Sequence, residues 1–147
     1  MENFDHEMEQ RVWKRVRNEE PPHLPMPLQG LAAAEQNEAA VYLMLSRQLQ
    51  GADKAILRKL FSEEQTHSAI LRGMHTVMTG QKLSLRTLPP KPETPEIALR
   101  KCYARKLKTI QEYESRTADK EYGAVFSKLL RQEREHCAAI LQILGSR

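Results

Sequence analysis

The chain has 147 residues, enough for one domain with a real core and too few for two generous ones. Hydrophobic residues make up 40%, charged residues 29%, and only six are glycine, a balance that favours helices over a sheet with many tight turns. The net charge of +4 is interleaved with acids and forms no Arg/Lys block beside aromatic residues, which argues against a nucleic-acid partner. No apolar run reaches the ~18 residues of a membrane helix, and the N-terminus lacks a signal peptide's hydrophobic centre. Cys102 and Cys137 belong to no CxxC motif and fit reduced thiols, so a cytoplasmic protein is expected, with no membrane partner.

In chain order, the first feature is a stripe of Phe4, Met8, Val12, Trp13 and Val16 at helical spacing. Such a stripe needs burial, on its own bundle or on a second subunit, and a homodimer formed through it is expected. The prolines of "EEPPHLPMPLQG" then forbid a continuous helix, so residues 1–27 read as an N-terminal helix and linker. Residues 28–147 read as one four-helix domain, with helices at about 28–50, 53–79, 95–116 and 120–144. Gly51 and Gly80 mark helix ends, Thr94–Pro95 marks the third start, and Asp119 can cap the fourth. Short joints make two antiparallel hairpins, while the proline-rich residues 80–95 are long enough to cross the length of a bundle.

The second and fourth helices repeat one pattern: "LFSEEQTHSAIL" carries Glu64 and His67, and "LLRQEREHCAAIL" carries Glu133 and His136. Aligning them places Leu60 on Leu129, Ala69 on Ala138 and Leu71 on Ile140, and with a two-residue length difference Tyr42 falls on Tyr113. Positions i and i+3 share a helix face, so each Glu–His pair projects together. One such pair also fits a solvent face or a hydrogen-bonded core histidine. Two pairs facing one interior are easier to explain around cations, because buried carboxylates are costly unless paired or metal-bound. Ligation by carboxylate and imidazole without thiolate suits iron or manganese better than structural zinc.

"EQNEAAVY", "EEQTH" and "EREH" make residues 28–144 resemble the ferritin-like superfamily, and within it the rubrerythrin-type dimetal domain. The resemblance implies an all-α, ferritin-like antiparallel four-helix bundle holding two iron ions, or a manganese–iron pair. By it, Glu64 and Glu133 would bridge the metals, His67 and His136 would be terminal ligands, and Glu35, seven residues before Tyr42, would be the terminal carboxylate of the first metal. Tyr42 and Tyr113 would orient the ligands by hydrogen bonds.

The third helix departs from the pattern. Seven residues before Tyr113 stands Lys106 rather than a glutamate, on the apolar face of Leu99, Tyr103, Ile110 and Tyr113. Glu38, one turn after Glu35, is the replacement expected to serve the second metal with His136. A protonated Lys106 would weaken that metal or pair with a carboxylate of the metal-free site, and a neutral one could ligate or relay a proton. The expected function is therefore a dimetal oxidoreductase acting on peroxide or dioxygen. It would use an external electron donor, because no CxxC pair supplies a rubredoxin module. Iron handling and a metal-poor bundle used for assembly are the alternatives.

Overall fold

A computed structural model describes residues 26–147. The expected N-terminal helix and the histidines His6 and His23 lie outside the described residues. Four helices make up the fold: α1 (Leu28–Ser46), α2 (Gly51–Thr79), α3 (Pro95–Glu114) and α4 (Gly123–Gly145). They form an antiparallel four-helix bundle in which α1 packs closely on α2 and α3 on α4, while α1 meets α3 and α2 meets α4 across the bundle.

The boundaries follow local chemistry. Gly80 ends α2 at φ 75°, and its N–H bonds the Thr76 carbonyl at 2.7 Å, a left-handed stop that glycine accepts without steric cost. Pro95 occupies the first turn of α3, where its missing N–H costs nothing, although the Thr94 side chain makes no capping bond. The first helix stops at Ser46, earlier than expected. Gly51 opens α2 rather than closing α1, at φ 64°. The fourth helix starts at Gly123, later than expected, because Asp119 holds a turn ahead of it: Oδ1 accepts the N–H groups of Glu121 and Tyr122, each at 2.8 Å. Gly123 is required there, since a Cβ would sit 2.4 Å from the Thr117 carbonyl oxygen.

Between α2 and α3 the chain runs without helix over residues 80–94, and Leu88 N–H bonds Asn37 Oδ1 of α1 at 3.2 Å. Leu83 and Leu85 of this crossover pack against the core. That core has two apolar clusters. Toward one end lie Tyr42, Leu45, Leu57, Leu60, Leu99 and Ile140; toward the other lie Leu31, Leu71, Met74, Tyr113, Phe126 and Leu129. In sequence, every helix passes between the two clusters through a charged step: Glu35 and Glu38 on α1, Glu64 and His67 on α2, Lys106 on α3, Glu133 and His136 on α4. All seven are buried. The bundle thus holds a layer of charge between two apolar floors, where Coulomb forces are stronger than in water.

Candidate metal centre

Lys106 sits at the middle of that layer, fully buried, with its ammonium on three carboxylates. Nζ donates to Glu35 Oε1 at 3.2 Å, to Glu133 Oε1 at 2.6 Å, and to Glu64 Oε2. The remaining oxygens of the same three groups face His67: Nδ1 lies 3.2 Å from Glu35 Oε2, 2.9 Å from Glu133 Oε2 and 3.1 Å from Glu64 Oε1. Three carboxylates therefore bridge two nitrogen centres, one on α3 and one on α2.

The two histidines are placed with pseudo-two-fold symmetry. Each aims Nδ1 at the carboxylates and sends Nε2 to the residue before the glutamate of the opposite ExxH. His67 Nε2 lies 2.7 Å from Gln132 Oε1, and His136 Nε2 lies 2.7 Å from Glu63 Oε1. Their rings stack with centroids 5.5 Å apart. His136 Nδ1 is 3.4 Å from Glu64 Oε1 and 3.5 Å from Glu133 Oε2, and both His136 Nδ1 and Glu64 Oε1 are buried with no hydrogen-bond partner. Buried polar atoms are ordinarily paired, so these two mark a place where a cation would be at home.

Protonation follows from the neighbours. Burial by itself would depress His67, but its hydrogen bonds to Glu133 and Glu35 raise its pKa to about 10, so the ring is charged at neutral pH. Burial pushes His136 down, and the Lys106 and His67 charges add to that, leaving it neutral. Burial would likewise raise Glu133, yet the Lys106 ammonium and the His67 hydrogen bond hold it down at about 2. Lys106 is desolvated, but Glu35 and Glu133 overcome that penalty and raise its pKa above the ordinary lysine value.

The tyrosines differ. Tyr113 OH donates to Glu35 Oε2 at 2.8 Å, as expected for a residue that orients a carboxylate. Tyr42 OH, its repeat partner, is buried and makes no hydrogen bond. Its counterpart acceptor would stand at position 106, and an ammonium there accepts nothing. Glu38, buried in the same layer, is not among the four side chains whose donor atoms converge. The guanidinium of Arg105, half-exposed on α3, takes its Oε2, while Oε1 is buried without a hydrogen bond. Gln132, Glu63 and Arg105 were not singled out from the sequence. The repeat alignment that pairs Glu64 with Glu133 also pairs Glu63 with Gln132, and was the available signal.

Four of the expected ligands, Glu35, Glu64, His67 and Glu133, have donor atoms within 4.8 Å of one another and could hold a metal ion. The donor set of hard carboxylates and one imidazole, with no thiolate, fits iron or manganese. Lys106 Nζ lies against the other oxygens of Glu35 and Glu133.

This architecture is the ferritin-like four-helix bundle. Solved structures with the same fold include a ferritin-like diiron-carboxylate protein from Bacillus anthracis str. Ames, with a TM-score of 0.66 and 19% identity over 80% of this chain and 92% of that one. A ferritin-like diiron-carboxylate protein from Thermotoga maritima gives 0.62 and 19% over 84% and 98%, and a humanized archaeal ferritin gives 0.63 and 19% over 82% and 81%. No family model matches the sequence, and no curated protein does. At these identities the likeness establishes the fold. No helix among the described residues is long and apolar enough to cross a membrane.

Proposed function

We propose that the protein is a non-haem metal protein of rubrerythrin type that reacts with peroxide or dioxygen, with Glu35, Glu64, His67 and Glu133 as ligands. The observation that carries this reading is the convergence of those four side chains in a buried layer, with donor atoms within 4.8 Å of one another. Two solved proteins that share the fold are described as diiron-carboxylate proteins, which supports carboxylate-held iron here. Iron or manganese bound there would supply one electron per ion in passing from the divalent to the trivalent state, and the remaining electrons for reducing the oxidant would come from an external donor.

The chain's own residues do the rest. Tyr113 fixes the orientation of Glu35 through its hydroxyl. Gln132 holds His67 by Nε2, leaving Nδ1 turned to the carboxylates. The apolar floors above and below the layer keep bulk water out. A cavity of about 530 Å³ between α1 and α3, under the crossover, has Glu38, Val41, Met44, Ala98 and Arg105 on its wall and reaches within a turn of Glu35, a route of entry for a small oxidant. An external donor would return the electrons.

Anaerobic loading with Fe(II), followed by rapid mixing with peroxide or with dioxygen, tests the proposal. Oxidation of the bound iron by peroxide, faster than by dioxygen, is expected. Inertness toward both would overturn it, and continued uptake of iron past the site's capacity during dioxygen exposure would favour iron storage instead.

A further inference from the structure

We infer that Lys106 stands in place of a second metal ion, so that this bundle takes one divalent cation and completes its pair of positive centres with an ammonium. The inference rests on the metal-binding reading above and gives it a stoichiometry.

Geometry is the first support. Glu35, Glu64 and Glu133 each spend one oxygen on Lys106 Nζ and turn the other toward His67 Nδ1. A carboxylate bridging two cations has this arrangement, and here one of the two positions is filled by the chain itself. On the other side, Glu64 Oε1 and His136 Nδ1 stand 3.4 Å apart, both buried without hydrogen bonds. A cation among Glu35 Oε2, Glu64 Oε1, Glu133 Oε2 and His67 Nδ1 engages one of them directly and lies beside the other.

Charge is the second support. The three carboxylates carry three negative charges, and one ammonium with one divalent ion carries three positive. Two divalent ions beside a protonated lysine would leave a surplus of two positive charges in a layer closed by apolar floors, where uncompensated charge is expensive. The next carboxylates are already matched by guanidinium charges: Glu38 Oε2 by Arg105, and Glu112, which accepts from the Met26 N–H at 3.1 Å, by Arg116 at 3.5 Å.

Symmetry is the third. Tyr113 on α3 donates to Glu35 on α1, and the repeat makes Tyr42 on α1 the equivalent donor toward position 106 on α3. Tyr42 OH is left without an acceptor at full burial, as it must be if a cation has replaced a ligand carboxylate.

The test counts ions without reference to activity. Metal-free wild-type protein is incubated with excess Mn(II), freed of unbound metal by gel filtration, and measured by elemental analysis and electron paramagnetic resonance. One Mn(II) per chain with an uncoupled six-line signal is expected, and Lys106→Glu should take two with an exchange-coupled signal. Should Lys106→Glu fail to fold without metal, it is refolded in Mn(II); the wild-type count needs no variant. Two coupled ions in wild type would overturn the inference and leave the metal-binding reading standing. No bound ion in wild type would overturn both, and a single ion in Lys106→Glu would overturn the assignment of position 106 to the second metal.

Discussion

Lys106→Met removes one of the two cations of the charged layer, the other being the His67 ring, while keeping most of the side-chain volume. Lys106 is 0% exposed, and so are Glu35, Glu64 and Glu133, the three carboxylates on its Nζ. Breaking a buried ion network by deleting one partner costs about 3–5 kcal/mol, because the partners are left charged and desolvated. Three carboxylates lose one of their two cations here, the charged His67 ring remaining, which puts the expected loss within that range in metal-free protein. Domains of this kind are stable by only about 5–15 kcal/mol, so the effect is a large fraction of the whole. Urea unfolding of wild type and variant with a chelator present gives the difference from midpoints and slopes. A ligand that binds only the native state adds about 2.7 kcal/mol at a hundredfold excess over its dissociation constant. Excess Mn(II) should therefore rescue the variant more than it stabilises wild type. A metal-free Lys106→Met within about 1 kcal/mol of wild type would refute the reasoning, since no buried network of the strength described could then exist.

Metal-free protein should be most stable in a narrow pH window. Glu133, held near 2 against an ordinary 4.5, contributes stability that is full above 4.5 and lost as pH falls through about 2. His67, raised from 6.5 to about 10, contributes stability that is full below 6.5 and lost as pH rises through about 10. Thermal melts should fall off on both sides of that window, and a midpoint unchanged from pH 6 to 10 would contradict the charged His67. Gln132→Ala frees the His67 ring from its 2.7 Å partner and should weaken Mn(II) binding by about 10-fold or more in calorimetric titration; unchanged affinity would mean the ring needs no such support. Glu38→Gln should leave the number of bound ions unchanged, because Arg105 already occupies that carboxylate; loss of an ion would restore Glu38 as a ligand. Gly123→Ala drives a Cβ to 2.4 Å from Thr117 O and should cost about 1–3 kcal/mol in urea unfolding, where a neutral result would show that the turn can relax.

Much of the fold was legible because its signals are local. Helical spacing, the stops at Gly80 and Pro95, and the long joint before α3 all act over a few residues, and they placed four helices and their hairpin pairing. Errors fell at ends set by tertiary contacts: Leu49 is drawn into the core after α1 has stopped, and Asp119 spends its carboxylate on the turn before α4. The ExxH repeat announced the buried histidines, and the spacing of the α3 face turned Lys106 inward. The pairing of Glu38 with Arg105 was not legible because spacing reports the face of a helix and says nothing of which side chain on a neighbour arrives there. Arg105 comes from 67 residues away. The cross-bundle bonds of His67 to Gln132 and of His136 to Glu63 span 65 and 73 residues and depend on the relative register of α2 and α4. Hydrophobic periodicity does not report that register.

Anomalous diffraction at the manganese edge from crystals grown in Mn(II) tests the central claim most directly. The account expects one peak per chain, among Glu35, Glu64, His67 and Glu133, with the Lys106 ammonium still on the far oxygens of the same carboxylates. Two peaks with Lys106 swung aside, or none within the bundle, would contradict it.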